Sequence, residues 1–328
     1  MNWPLEHSED LLKMLAAVYG ALAIGSVIRV IALRKADKGL RKKRMDSLRT
    51  WWILAVIAGG ALLFGKAGVC LLLAATSSLA FREYARLVGK NNMDTIANIA
   101  VYSVIGINYL LLYSENITAY SSLVPLLLIL PAVLQLLQGR TDGYMRSTAG
   151  LCWGSMILVY TFSHSVLFFI LPETSGGAAG GAGWFLYLIL LTETNDIAQA
   201  IVGRRFGSQN KHRIVPRVSP NKTWEGFLGG MVITVCLAAV LAPWMTNLTN
   251  LPLSMRDITA PSWVTSVAAG IIIAVAGFFG DINMSAIKRD VGVKDSSSML
   301  PGMGGVIDRI DSLTFTAPAF VIFVRAIS

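Results

Sequence analysis

Residues 227–247 read FLGGMVITVCLAAVLAPWMTN, a run without a single charged side chain. A hydrocarbon core about 30 Å thick takes roughly 20 apolar residues of helix to cross. Nothing in a water-soluble fold requires so long an unbroken run, so this stretch predicts a transmembrane helix. Outward from it the pattern repeats. Runs at 11–33, 96–113, 119–137, 149–171, 184–202 and 261–280 are of similar character, and shorter ones lie at 51–64, 67–80 and 312–327. The pair flanking Lys66 reads either as a tight hairpin of short helices or as a re-entrant pair. The fold expected is all-α, a polytopic transmembrane helical protein with about ten spans (nine to eleven).

The composition of the 328 residues agrees: 54% are apolar and 14% charged, with a mean hydropathy of +0.60. A soluble domain carries roughly 25% charged residues, so a cytosolic enzyme, a disordered chain and a secreted disulfide scaffold are all excluded. Glu6, Glu9 and Asp10 stand where a cleavable signal would be basic, so the first apolar run is expected to remain as a helix. Basic residues collect in cytoplasmic loops. The connections 34–50, 81–95, 138–148, 203–226 and 281–311 hold 23 of the 28 Lys and Arg, and alternation puts all five on one side. The N-terminus is therefore expected outside, with the charged loops in the cytoplasm. The net charge of +9 is read as mainly topological, including the run from Arg34 to Arg49, which would also touch anionic headgroups. Nucleic acid is not expected as a partner.

Cys70, Cys152 and Cys236 sit singly in apolar runs, and His7, His164 and His212 form no cluster at zinc-ligand spacing. The glycine-rich stretch 176–183 has no base beside it and reads as a connector. Two cytoplasmic loops, 203–226 and 281–311, carry more than topology demands. They divide the chain into N-terminal transmembrane helices, 1–192, and a C-terminal transmembrane catalytic region, 193–328.

In the last loop, Asp281 stands at the mouth of a span, with Ser285, Lys288 and Arg289 on the same face if the helix continues. Pro301, Gly302, Gly304 and Gly305 then break the helix and let backbone amides approach a ligand. Asp308 and Asp311 follow at helical spacing. Carboxylates at a membrane boundary are costly unless they meet a cation or a base. Here they could converge with Lys288, Arg289, Lys294 and Arg309. Such a mixture suits transfer of phosphoryl or nucleotidyl groups, since Mg²⁺ takes carboxylate and phosphate oxygens and Lys and Arg offset charge on transferred and leaving phosphates. It equally suits a capped helix whose acids pair with loop bases. In the other loop, Glu193, Asn195 and Asp196 lie in the cytoplasmic half of a span, with Arg204 as a structural partner for Asp196. Ser219, Asn221, Lys222 and Thr223 lead into the next helix, with Thr223 or Asn221 as its cap and its N-terminus as an anion site. Gly226 and Gly230 read as a helix-packing pair.

The run Ser285–Asp311 resembles the signature of the phosphatidate cytidylyltransferases, also called CDP-diacylglycerol synthases. Ser285, Ile287, Lys288, Arg289, Lys294, Asp295, Ser297, Leu300, Pro301, Gly304, Gly305, Val306, Asp308, Arg309, Ile310 and Asp311 fall at the family's spacing, and SPNKTWEG at 219–226 is similar to its second block. Departures are Met303 for a family His, Asn221 for a common Lys, and Gln199-Ala200 for a frequent Ala-Tyr. The resemblance implies transfer of the cytidylyl group of CTP to phosphatidate or a related lipid phosphate, giving CDP-diacylglycerol and pyrophosphate. It implies Mg²⁺, with a monovalent cation as an additional candidate, held by Asp281, Asp308 and Asp311, with Asp196 in second place. Lys288, Arg289, Lys294 and Arg309 are implied to act on phosphates. Ser219, Lys222, Thr223, Ser285, Gly304 and Gly305 are implied to bind nucleotide or phosphate. A homodimer in the bacterial inner membrane, its active site on the cytoplasmic face, is implied as well. The alternatives are a CTP-dependent lipid-alcohol or polyprenol kinase, a catalytically silent member of the family, and a transporter.

Overall fold

A computed structural model describes residues 8–34, 36–88, 95–139, 141–207, 212–251, 254–255, 258–259 and 261–327, with backbone alone at 8, 95–98, 254–255, 258–259 and 262. Glu6 and the loop residues Lys35, Lys90, Arg140, Lys211 and Arg256 lie outside the described residues. The chain is helical almost throughout. In order come α1 (Ser8–Ala32), α2 (Lys38–Leu63), α3 (Gly65–Val88), α4 (Thr95–Tyr113), α5 (Ile117–Ser121), α6 (Leu123–Leu137), α7 (Tyr144–Ser155), α8 (Gly180–Phe206), α9 (Trp224–Met245), α10 (Ser262–Asp290), α11 (Ile307–Ile310) and α12 (Leu313–Ile327). The wider turns of Met156–Thr161 and a tight helix His164–Phe169 continue α7. Among the described residues, seven helical segments are long and apolar enough to cross a membrane, and Ile99–Tyr113 and Leu123–Leu137 are shorter apolar helices.

The helices of the pair around Lys66 are longer than their apolar runs. α2 and α3 run 26 and 24 residues and turn at Gly65, whose φ of 61° is open to glycine without strain. They stay close because Gly68 meets the Ala61 carbonyl where any Cβ would overlap. Lys66 at this turn pairs with Glu115. Much of what reads as loop is helix: α2 begins inside the basic run, and α3 carries Arg82, Glu83 and Arg86 well past its apolar part. Long charged side chains on a helix end reach water or headgroups without breaking the helix.

The region 193–328 is built on α8, α9, α10 and α12. The expected division at 192/193 falls inside α8, which is continuous there. Small residues bring α8 and α9 together: a Cβ on Gly203 would lie 3.5 Å from the Gly226 Cα, and one on Gly230 would press on Gln199. Asn195 ties three helices, donating to the Ala274 carbonyl at 3.4 Å and accepting from Thr234 at 3.2 Å. The aromatic cluster Phe168, Trp184, Tyr187 and Phe320 fills the interior beside them. The helical expectation holds, and two very short hairpins accompany the helices. Arg213–Val215 (β1) pairs antiparallel with Ser219–Thr223 (β2), and Ser254–Met255 (β3) pairs with Ile258–Thr259 (β4). The Pro-containing run at 219–223 reads from sequence as a turn and cap, but as an edge strand it needs few ladder donors.

Candidate active site

The two motif loops meet. A cavity of about 880 Å³ is walled by α8, β2, the start of α9, the end of α10 and the 295–311 segment, with α1 and α2 each contributing to its lining. Ser219, Lys222, Thr223, Asp196, Asp281, Lys288, Asp308, Arg309 and Asp311 all line it. Glu193, Gln199, Arg204, Asp295, Met303, Arg29, Arg44 and Trp51 line it too. Of the expected site residues, Ser285, Arg289, Lys294, Gly304 and Gly305 do not line it. Arg289 is exposed and donates to the carbonyls of Val218 and Val293 at 3.3 and 3.0 Å, so it holds the two loops together.

α10 remains helical to Asp290, which places Asp281, Ser285 and Lys288 on one face. Asp281 pairs with Lys222 at 2.7 Å, and the Ser285 hydroxyl donates to it at 3.3 Å. Lys222 also donates to Gln199 at 3.1 Å. Burial pushes the Lys222 ammonium down, but the attraction of Asp281 and then Asp196 outweighs it, so its pKa lies above the ordinary lysine value. Thr223 caps α9, accepting from the Gly226 amide at 3.2 Å. Asp196 accepts from the Ser312 hydroxyl at 2.6 Å and does not pair with Arg204. Asp196, Asp281 and Asp311 stand near enough for their charges to repel one another.

Asp308 is engaged differently from these three. Its Oδ1 takes the Lys288 ammonium at 2.7 Å. Its Oδ2 accepts from the Ser296 amide at 3.2 Å, the Ser296 hydroxyl at 2.9 Å and the Gly305 amide at 2.9 Å. Spacing alone groups Asp308 with Asp281 and Asp311, but in the fold its oxygens are spent on closing the 295–308 loop and fixing Lys288. Gly304, with φ of 93°, and Gly305 serve the same closure. A Cβ on Gly304 would lie 2.7 Å from the Asp308 carboxylate, and one on Gly305 would overlap Ser296.

One residue here has no signal in either motif. Glu83, on α3 and 4% exposed, accepts from the Ser297 hydroxyl at 2.5 Å, the Val306 amide at 3.1 Å, the Ser296 hydroxyl at 3.2 Å and the Ile307 amide at 3.1 Å. It caps α11 from a distant helix. Only its acidity in an otherwise basic stretch sets it apart in the sequence.

The fit to Mg²⁺ rests on donor chemistry. Among the described residues no three Asp, Glu, His or Cys side chains are gathered about one ion position. Mg²⁺ does not require that, since it is commonly held by one or two carboxylates with substrate phosphates and water. Asp196 has a buried Oδ1 without a partner in the chain, as do Gln199 Nε2 and Arg309 Nε. Buried polar atoms left open cost free energy, so these atoms can take a water or a polar ligand. Asp308, whose oxygens are already engaged, is less open to an ion than one or two of Asp196, Asp281 and Asp311 acting with substrate phosphates.

Comparison with known proteins gives a consistent picture. The model of the cytidylyltransferase family matches residues 45–327. The chain is 35% identical to the uncharacterized protein YnbB of Escherichia coli over 95% of this chain and 98% of that one. It is 30% identical to a phosphatidate cytidylyltransferase of Staphylococcus saprophyticus over 77% of this chain and 89% of that enzyme. A phosphatidate cytidylyltransferase of Chlamydia muridarum is 41% identical over a shorter stretch, 42% of each chain.

Proposed function

The chain belongs to the cytidylyltransferase family, and from that premise we propose that it transfers the cytidylyl group of CTP to phosphatidate or a closely related lipid phosphate, releasing pyrophosphate. The observation that carries this reading is the composition of the cavity. It joins an acidic cluster and several bases to the apolar side chains of Ile197 and Ile201, which line it and are about half exposed. A wholly water-soluble substrate has no use for such a wall, whereas a lipid phosphate presents a headgroup to the cavity and its tails to the bilayer.

In this reading an oxygen of the lipid phosphate attacks the α-phosphorus of CTP, a P–O bond forms, and the bond to the β-phosphate oxygen breaks as pyrophosphate leaves. Lys222 and Arg309 offset the charge on the nucleotide phosphates, and Lys288, held by Asp308, faces the same space. Asp281 keeps Lys222 extended into the cavity. Mg²⁺ held by one or two of Asp196, Asp281 and Asp311 together with substrate phosphates would supply Lewis-acid polarisation of phosphate oxygens and compensation of leaving-group charge; a monovalent cation is a further candidate. The seven long helical segments, the two shorter apolar ones and α3 would make ten spans, with the N-terminus outside and the basic cavity side in the cytoplasm, as the distribution of Lys and Arg supports. A bacterial inner membrane, a homodimer and a catalytic region at 193–328 complete the proposal.

The test is purified protein in detergent with labelled CTP, Mg²⁺ and phosphatidate, beside Asp281→Asn. Pyrophosphate and labelled CDP-diacylglycerol in equal amounts, reduced about 100-fold or more in the variant, are expected. CDP in place of pyrophosphate would make the protein a kinase, and undiminished turnover in Asp281→Asn would remove the site.

A further inference from the structure

α1 and the beginning of α2 precede the residues that the family model matches, yet both reach the cavity through Arg29 and Arg44. Their placement is built from two sides. The Trp52 indole donates to the Ser26 hydroxyl at 3.0 Å, Tyr19 stacks on Trp52 with ring centroids 6.3 Å apart, and the Tyr19 hydroxyl donates to the Ala55 carbonyl at 3.1 Å. These contacts fix α1 on α2 and set Arg29 over the cavity. α2 is fixed in turn on the 301–305 turn. Thr50 donates to the Pro301 carbonyl at 2.9 Å, and Gly302 packs so closely that a Cβ would lie 2.5 Å from the Lys43 carbonyl oxygen.

The two guanidinium groups stand near enough to repel one another. Among the described residues neither has a carboxylate within ion-pair distance, although several acids line the same cavity. Holding two like charges together without a counter-charge is unfavourable until an anion arrives. The surroundings indicate which anion. Val27, Ile28 and Ile31 beside Arg29 are exposed, as are Ile53 and Val56 further along α2, so the pair sits where the polar cavity meets the lipid-facing surface. A phosphate on an acyl-chain anchor arrives from there, and a free nucleotide does not need to.

Resting on the function proposed above, we propose that Arg29 and Arg44 form the entry subsite for the phosphate of the lipid acceptor, separate from the groups that hold CTP. The fork geometry of Arg favours two-point contact with phosphate, and Trp51 lines the same cavity.

The experiment compares Arg29→Gln, Arg44→Gln, Arg29→Lys and, as a surface control, Lys42→Gln with Lys43→Gln, all in the full chain in detergent. Steady-state kinetics with phosphatidate are accompanied by calorimetric binding of dihexanoyl phosphatidate, glycerol 3-phosphate and CTP. Each Gln variant is expected to raise KM for phosphatidate and weaken dihexanoyl phosphatidate binding about tenfold, with CTP binding unchanged and Arg29→Lys intermediate. The surface pair should change neither. Equal effects from the surface pair would reduce the arginines to general attraction for anionic lipid, and weakened CTP binding would assign them to the nucleotide. Glycerol 3-phosphate binding as tightly as the lipid would show a free-phosphate site instead. Binding is read without turnover, so arginine-dependent phosphatidate binding without cytidylyl transfer would sink the reaction and keep the subsite. Transfer with arginine-independent binding would do the reverse.

Discussion

Replacing Glu83 tests how the cavity is held together. Its carboxylate is the common acceptor for two backbone amides at the start of α11 and two serine hydroxyls of the 295–308 loop. The hydroxyls can rotate to other acceptors, and Ser296 already reaches Asp308. The Val306 and Ile307 amides cannot. Each buried donor left open costs about 1–3 kcal/mol, so Glu83→Ala should destabilise by roughly 2–6 kcal/mol from the two amides alone. Glu83→Gln keeps one oxygen and turns an NH₂ toward donors, and should lose about half as much. The loop carries Asp308 and the turn under α2, so activity should fall with stability. Thermal unfolding in detergent, followed by circular dichroism, and pyrophosphate release from the same preparations give both readouts. The order wild type, Glu83→Gln, Glu83→Ala is expected in each. Glu83→Ala unfolding within a degree of wild type would refute the reasoning, because it would mean that the amides find other acceptors and the carboxylate caps nothing.

Gly302→Ala combines a φ of 73° with a Cβ 2.5 and 2.6 Å from backbone atoms of α2. It should cost about 1–2 kcal/mol in conformation alone and lift α2, which limited proteolysis between residues 34 and 50 would detect as faster cleavage than in wild type. Met303→His puts a titratable donor on the cavity wall without touching the acid cluster, so turnover equal to or above wild type is expected in the pyrophosphate assay. The raised pKa of Lys222 makes its ion pair stabilising at all pH values below the ordinary lysine pKa, with the contribution lost as pH rises through the higher folded value. Unfolding temperatures of wild type and Lys222→Met should therefore differ at pH 7 and converge in strong alkali, and a difference independent of pH would mean that Lys222 contributes only by packing.

The sequence by itself determined the solvent and the chemistry. Uncharged runs as long as a bilayer is thick are unfavourable in water, which makes the chain helical and membrane-embedded, and the dense acids and bases of two loops mark residues that line one polar cavity. The spacing of Asp281, Ser285 and Lys288 is legible because helical periodicity is local, and the same holds for the Thr223 cap. What only the tertiary structure decided is which charges meet. Asp308 and Asp311 are three residues apart, yet one is consumed by Lys288 and loop amides while the other joins Asp196 and Asp281. Glu83, Arg29 and Arg44 resemble ordinary topological charges until α3, α1 and α2 pack against the motif loops. Helix periodicity and hydropathy act between neighbours in the chain, whereas pairing of charges depends on distances across helices far apart in sequence, and those exist only once the bundle has closed.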